Sequence, residues 1–511
     1  MHNELFLGPQ PLGRDEVVAV ARGGARVRLN ELAEQRIAAT REHIAALAAE
    51  QRPVYGVSTG FGALAVRHIP ADRRAALQQA FVRSHAAGAG EPVEPEVVRA
   101  QMLLRLHTIA TGHTGVRPET AQALTSLLNA GIVPVVHEHG SLGCSGDLAP
   151  LASVALALTG EGEVFDATGQ RKPAAAALAE AGIEPVALAE KEGLALTNGT
   201  DGMLGMLVLA LADIAALLDV ADLTAAMSVE ALLGTDRPFA ADLQGLRPHP
   251  GQATSAERMA TLLANSPIVA SHRGPDCPLV QDAYSMRCAP QVHGAARDTA
   301  EHAAAVAERE LAAAIDNPVV LDDGRIESNG NFHGAPLGYV LDFLAIALAD
   351  VANMCERRTD RMLDVARSHG LPAFLADDPG VDSGHMIAHY TQAGIASELK
   401  RVAAPASVDS IPTSAMQEDH VSMGWSAARK LRRAVDGLTT VLAVELLTAA
   451  RALDLRAPLE PGPATGAARE VLRTRVPGPG PDRHVAPEIT AAEELIRDGT
   501  IHAAAETRRS A

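Results

Sequence analysis

The chain has 511 residues, 47% of them hydrophobic but only 3% aromatic, and carries a net charge of −18. That length allows a large core and about three domains, and an interior of Ala, Leu and Val suits close-packed helices better than sheets. The negative charge argues against a nucleic-acid partner. Cys144, Cys277, Cys288 and Cys355 form no C-x-x-C pair and no metal spacing, so they read as free thiols in a reducing, cytoplasmic compartment. Met1-His2-Asn3-Glu4-Leu5-Phe6 lacks the basic and apolar regions of a signal peptide. The most apolar stretch, Gly202 to Val220, is interrupted by Asp213 and Asp219, which predicts a buried helix and no membrane span.

In chain order, residues 14 to 50 read as two short helical segments around Gly23-Gly24. Tyr55-Gly56-Val57-Ser58-Thr59-Gly60-Phe61-Gly62 is a glycine-punctuated loop. Gly56 to Gly60 formally matches the G-x-S-x-G nucleophile elbow, but that elbow follows an apolar strand, and Gln51-Arg52-Pro53 is a poor one. A helix from about Ala71 runs into Ser84-His85-Ala86-Ala87-Gly88, where a lone histidine beside small residues reads as structural. Residues 95 to 130 read as helical. Ile132 to Val136 leads to His137-Glu138-His139, which lacks the H-E-x-x-H spacing of two ligands on one helix face; positioning or solvation is the reading, with no metal.

Gly140-Ser141-Leu142-Gly143-Cys144-Ser145-Gly146-Asp147-Leu148-Ala149-Pro150 lets backbone groups approach closely. From its residues alone it is a glycine-rich turn before a helix; neither phosphate-binding glycine pattern is present. Residues 163 to 188 look like a surface excursion. Thr197-Asn198-Gly199-Thr200-Asp201-Gly202 opens a long apolar helix to about Gly234, with Asn and Thr available as caps. Gln281, Tyr284 and Arg287 recur at three-residue spacing and are predicted to share a helical face, though a solvated polar face has the same pattern. Thr299 to Ile315 is an alanine-rich helix, Ser328 to Gly334 a polar loop, and 338 to 368 a long helix. Ser414-Ala415-Met416-Gln417-Glu418-Asp419-His420 precedes another helix at 428 to 455, and its acidic pair is a helix-start feature. Pro458 to Pro487 reads as a linker, and 489 to 511 as one short helix with a frayed tail.

Taken together, the central stretch, the tyrosine loop, His85, Asn198, the 280 to 292 segment, Phe332 and Glu418 resemble, in order, the motifs of the aromatic amino acid ammonia-lyases. The resemblance spans about Tyr55 to Trp425. Cys144 stands where Ala is commoner, Thr197 where an aliphatic residue is frequent, and Leu279 where a basic residue is frequent. The resemblance implies that the Gly146 amide nitrogen attacks the Cys144 carbonyl. With loss of two waters, one of them from Ser145, Cys144-Ser145-Gly146 would become 4-methylidene-imidazol-5-one, and no external cofactor would be needed. It further implies Tyr55 as catalytic base, assisted by Tyr284 and Gln281. Arg287 and Asn198 would hold a substrate carboxylate, and Phe332 would lie against the electrophile. His85 and Glu418, which match the histidine-specific members, would hold an imidazole.

The resulting expectation is a mainly α protein with a long central helical bundle. Residues 1–197 would form an N-terminal domain carrying the modified loop, 198–455 the bundle, and 456–511 a helical C-terminal cap. Its activity would be elimination of ammonia from L-histidine, in a cytoplasmic homotetramer. A tyrosine lyase, a 2,3-aminomutase and a non-catalytic helical scaffold are the alternatives.

Overall fold

The computed structural model describes residues 4–49, 54–60, 62–274, 277 and 280–509. Residues 1–3, Gln51-Arg52-Pro53, Phe61, Leu279 and the last two residues of the tail lie outside them. The described chain is mainly helical, as composition predicts, with short strands between helices. It divides into two compact units, each assembled from three separated stretches.

The first unit comprises Met1–Leu209, Ala304–Asp342 and Pro405–Arg429. At its core is the helix Pro95–Ala110, with proline in the first turn, where a missing N–H costs nothing. Every residue from Ala100 to Ala110 is buried, as expected of a helix enclosed on all faces. Helices Arg14–Ala21, Glu31–Ala49 and Pro118–Asn129 pack against it. The expected helix over 95 to 130 is thus two, interrupted where Gly112 and Gly115 take φ of +82° and +74°. The expected pair of short segments at 14 to 50 is also revised. Its second helix runs 19 residues, and a strand, Arg26–Leu29, precedes it and pairs parallel with Glu4–Leu7. The excursion at 163 to 188 is ordered. Glu163–Phe165 and Arg171–Pro173 form a hairpin turned at Gly169 (φ +82°), followed by the helix Ala174–Ala181.

The second unit comprises Ala210–Ala303, Phe343–Ala404 and Lys430–Ala511. Its portions of four long helices, Asp201–Ala231, Ala289–Leu311, Ala335–Leu363 and Gly424–Asp454, meet through buried polar contacts. His293 Nδ1 lies 2.8 Å from Asp222, both fully buried. Glu445, also fully buried, pairs with Arg358 and accepts from Thr224 and Ser228 at 2.8 and 2.9 Å. A buried ion pair is tolerable when its remaining hydrogen-bonding capacity is used in this way. Asp201–Ala231 and Ala335–Leu363 are long and apolar enough to cross a bilayer, but most of each is buried inside the protein.

Two readings of the C-terminal region are corrected. The proline-rich stretch from Pro458 contains a helix, Pro463–Arg473, whose proline is at the first turn and whose N-cap is Gly462. Pro and Gly there start a helix. The tail holds two helices, Ala486–Arg497 and Thr500–Arg509, separated at Gly499 (φ +77°), and the second packs on Pro463–Arg473.

Candidate active site

The loop at 140 to 147 is held by segments far away in sequence. The Gly143 carbonyl accepts from the Ser422 hydroxyl (2.7 Å) and the Gly334 N–H (2.9 Å), and the Leu142 carbonyl accepts from the Met423 N–H (2.9 Å). Two glycines make this approach possible. Gly143 sits at φ +68°, where a Cβ would stand 2.3 Å from Ser422 Oγ; Gly146 sits at φ +72°, where a Cβ would stand 2.2 Å from the Gly199 carbonyl oxygen. No side chain fits either position.

Asp147 closes the loop. It precedes the helix Leu148–Leu158 yet makes no side-chain cap there. Its carboxyl instead accepts from the N–H groups of Gly202 and Met203, both at 2.9 Å, and from Ser141 Oγ at 2.9 Å. The Asp201–Ala231 helix is thereby capped from another element, satisfying free N–H groups of its first turn. Burial pushes the Asp147 carboxyl up to about 7.

Asn198 lies against the triplet, its Nδ2 donating to the Ser145 carbonyl at 3.1 Å while its buried Oδ1 has no partner among the described residues. Behind it stands Arg105, almost fully buried. Its guanidinium donates to the carbonyls of Ala195 (3.1 Å), Asn198 (2.9 Å) and Ile315 (3.0 Å), and meets Asp201 at 3.0 Å. A Cβ on Gly199 would lie 2.3 Å from Arg105 Nη2. The Gly199 peptide is therefore wedged between the guanidinium and Gly146.

On the other side is Glu418. One carboxylate oxygen accepts from Ser145 Oγ at 3.0 Å; the other accepts from Cys144 Sγ at 3.3 Å and Thr413 Oγ1 at 3.1 Å. Thr413 and Glu418 form a two-residue antiparallel bridge across a turn in which Ser414, Ala415 and Met416 all have positive φ, between +52° and +68°. Three consecutive non-glycine residues in this region store backbone strain, a pattern that clusters at working sites. His85, at the end of the helix Arg74–His85, has Nδ1 2.9 Å from the Phe81 carbonyl and 3.0 Å from Ser84 Oγ. Burial lowers its pKa, while the Phe81 carbonyl and the Glu418 charge pull the other way.

Tyr55 accepts from the Gly62 N–H at 3.3 Å and lines a cavity of about 490 Å³ with Pro318 and residues 323 to 328. The Gly62–Leu64 turn packs against the strained Ser414–Met416 turn, which connects the tyrosine loop to the Glu418 segment. Phe332 is half-buried in the loop whose Gly334 holds Gly143, and the neighbouring His333 ring stacks on His420 at 5.4 Å. Gln281, Tyr284 and Arg287 lie in the second unit. The helix there is a single turn, Tyr284–Arg287, so Gln281 precedes it and the three do not share a helical face. Tyr284 is 71% exposed, with the Arg287 guanidinium 4.6 Å above its ring. Arg287 Nε donates to the Asp282 carbonyl at 2.9 Å, and Gln281 and Arg287 line a cavity of about 850 Å³.

Other flagged residues have structural employment. The Ser58 hydroxyl is buried and accepts from the Val54 N–H at 2.9 Å in a turn. His137–His139 is a strand paired with Ala89–Pro92, and His137 Nδ1 lies 2.7 Å from the Gly90 carbonyl. The Thr197 hydroxyl donates to the Gly193 carbonyl at 2.9 Å. All four cysteines are free. Arg105, Asp147, Thr413 and Ser422 had no assigned role from sequence. The position of Asp147 directly after the triplet was a usable signal, whereas the partners of Arg105 are brought to it only by folding.

The site is thus a backbone triplet gripped on both sides within a mainly helical frame. The chain belongs to the aromatic amino acid lyase family, whose profile matches residues 12–474. It is 63% identical over 508 residues to a histidine ammonia-lyase of Streptomyces avermitilis, covering 99% of both chains. Among solved structures it is similar to histidine ammonia-lyase from Trypanosoma cruzi (37% identity, TM-score 0.90, 99% of this chain and 95% of that one). It is also similar to tyrosine aminomutase from Streptomyces globisporus (36% identity, TM-score 0.92, 99% of both).

Proposed function

We propose that this chain eliminates ammonia non-oxidatively from L-histidine to give trans-urocanate, the first step of histidine degradation. The reading includes a 4-methylidene-imidazol-5-one formed autocatalytically from Cys144, Ser145 and Gly146. The observation that carries it is the convergence on Ser145 of Asn198 at its carbonyl and Glu418 at its hydroxyl, in a chain so similar to a histidine ammonia-lyase.

The residues present fit the ring. Gly146 has no Cβ to oppose the close approach of the Gly199 peptide, and Asn198 already donates to the carbonyl that would become the ring carbonyl. When formed, the group supplies an electrophile that turns the substrate amine into a leaving group. The chain's own residues do the rest. Asn198 has a second Nδ2 hydrogen for the substrate carboxylate, which the planar fork of Arg287 also suits. Tyr55 removes the β-proton, a general-base contribution typically worth ~10²–10⁴ in rate, with Tyr284 and Gln281 assisting. Glu418 accepts from the imidazole N–H, beside His85, and Phe332 borders the electrophile. No metal enters this scheme.

A homotetramer is part of the proposal. Phe343 and Ile346 on one helix and Ile387 and Tyr390 on another are exposed large apolar side chains of the second unit, of the kind that assemblies cover. Free thiols at all four cysteines suit the cytoplasm.

The test is direct. Intact mass should fall short of the coded chain by two waters, and urocanate should accumulate from histidine by its ultraviolet absorbance. Ser145→Ala should abolish both. A fully active protein of unmodified mass would sink the electrophile, and a preference for tyrosine or formation of a β-amino acid would point to the lyase and aminomutase alternatives.

A further inference from the structure

We infer that Cys144 and Thr413 jointly orient the Glu418 carboxylate, committing one oxygen to the protein so that the other is presented to the substrate ring. The inference rests on the histidine-elimination reading and assigns the residues that set its imidazole-binding end.

The two carboxylate oxygens are held differently. Oε2 accepts from Cys144 Sγ (3.3 Å) and Thr413 Oγ1 (3.1 Å), whereas Oε1 accepts only from Ser145 Oγ (3.0 Å) among the described residues. Ring closure joins the Gly146 nitrogen to the Cys144 carbonyl carbon. That carbonyl oxygen leaves as water with the N–H hydrogens of Ser145 and Gly146. A second water takes the Ser145 hydroxyl and its Cα hydrogen. Maturation thus removes the one donor on Oε1 and leaves both donors on Oε2. The chemistry that creates the electrophile also frees a single carboxylate oxygen, already aimed, for an imidazole N–H.

Both donors are built to persist. Burial and the adjacent Glu418 charge push the Cys144 thiol up to about 12, so it remains an S–H donor at neutral pH. Thr413 is fixed in register with Glu418 by its own backbone, its N–H donating to the Glu418 carbonyl at 3.0 Å. An alanine at 144 would leave Oε2 on Thr413 alone. Cys144 and Thr413 are positioning residues here, acting on the substrate through Glu418.

The experiment uses the full-length protein with Cys144→Ala, Cys144→Ser, Thr413→Val and Thr413→Ser, alone and combined with Glu418→Gln, each first checked by intact mass. Cys144→Ala and Thr413→Val with the ring formed should each lower kcat/KM for histidine about three- to tenfold, the scale of one modest hydrogen bond. The loss should fall mainly in KM, because the imidazole is held alike in ground and transition states. Serine at either position should restore it. In the Glu418→Gln background neither substitution should cost more. If KM stays unchanged in Cys144→Ala and Thr413→Val, or the same loss persists beside Glu418→Gln, the inference is overturned. Should Cys144→Ala disturb ring formation, Thr413→Val, outside the triplet, decides. Failure of the underlying reading is visible separately, as an unsubstituted protein that keeps both waters or does not consume histidine.

Discussion

In the proposed scheme Tyr55 and Glu418 would divide the work at the scale of single residues, and each role can be tested separately from ring formation. Among the described residues the Tyr55 hydroxyl has one hydrogen bond, accepted at 3.3 Å from the Gly62 N–H of its own loop. Tyr55→Phe should therefore keep the fold and the two-water mass loss while kcat falls ~10²–10⁴-fold, the range for a lost general base. A near-normal kcat would move the role to Tyr284. Glu418 answers a different question. Facing phenylalanine, the half-buried Glu418 would leave Oε1 without a donor, at a cost of up to ~1–3 kcal/mol, and a site built to hydrogen-bond its substrate rejects the apolar analogue. Glu418→Gln should lower kcat/KM for histidine much more than it affects ring formation. Adding His85→Phe should narrow the gap between histidine and phenylalanine, read as kcat/KM for both amino acids. Intact histidine turnover in Glu418→Gln would remove both residues from imidazole recognition. The motifs that carry these two residues were legible in sequence because each is a contiguous stretch. The role of Thr413 was not, because it depends on a backbone bridge across a left-handed turn.

Among the elements, the loop at 140 to 147 depends on its clamps. Ser422 Oγ donates to the Gly143 carbonyl and accepts from the Gly424 N–H at 3.1 Å, all buried. Ser422→Ala leaves that carbonyl with the Gly334 N–H alone, and a lost buried hydrogen bond costs ~1–3 kcal/mol. The expected outcome is a lower melting temperature with incomplete two-water loss; complete loss at unchanged stability would show that the clamp is dispensable. The long helices were readable in advance because apolar periodicity and alanine content act locally. Two kinds of element were not. Strands such as Val133–Pro134 and His137–His139 are two or three residues long, below the span at which alternation is visible. The helix at Pro463 was hidden because Pro and Gly punctuate linkers and helix starts alike.

For the whole molecule, acid stability is informative. His385, buried at the start of the helix Met386–Val402, has Nδ1 3.1 Å from Thr448 Oγ1. Burial first, and then the charges of Arg451, Arg473 and Arg483, press its pKa down to about 3, against about 6.5 in an unfolded chain. The folded state thus holds it neutral while the unfolded state takes up a proton below about pH 6.5. That stabilisation is complete above the unfolded value and is lost as the pH falls toward 3. His385→Gln should flatten the decline of melting temperature between pH 6.5 and 4 relative to the parent; parallel profiles would show that another group governs the acid limb. Composition foretold a mainly helical chain. It did not foretell two units each made of three separated stretches, because their contacts join residues hundreds of positions apart.

The grip on Leu142 and Gly143 also has a consequence for timing. Its clamps are Gly334, Ser422 and Met423, so at the ribosome most of the polypeptide must emerge before the loop is held in place. In the proposed scheme the triplet would stay ordinary peptide throughout synthesis. A nascent chain would then carry no alkene able to alkylate cellular thiols, and the proposed electrophile would arise only once these clamps hold the loop.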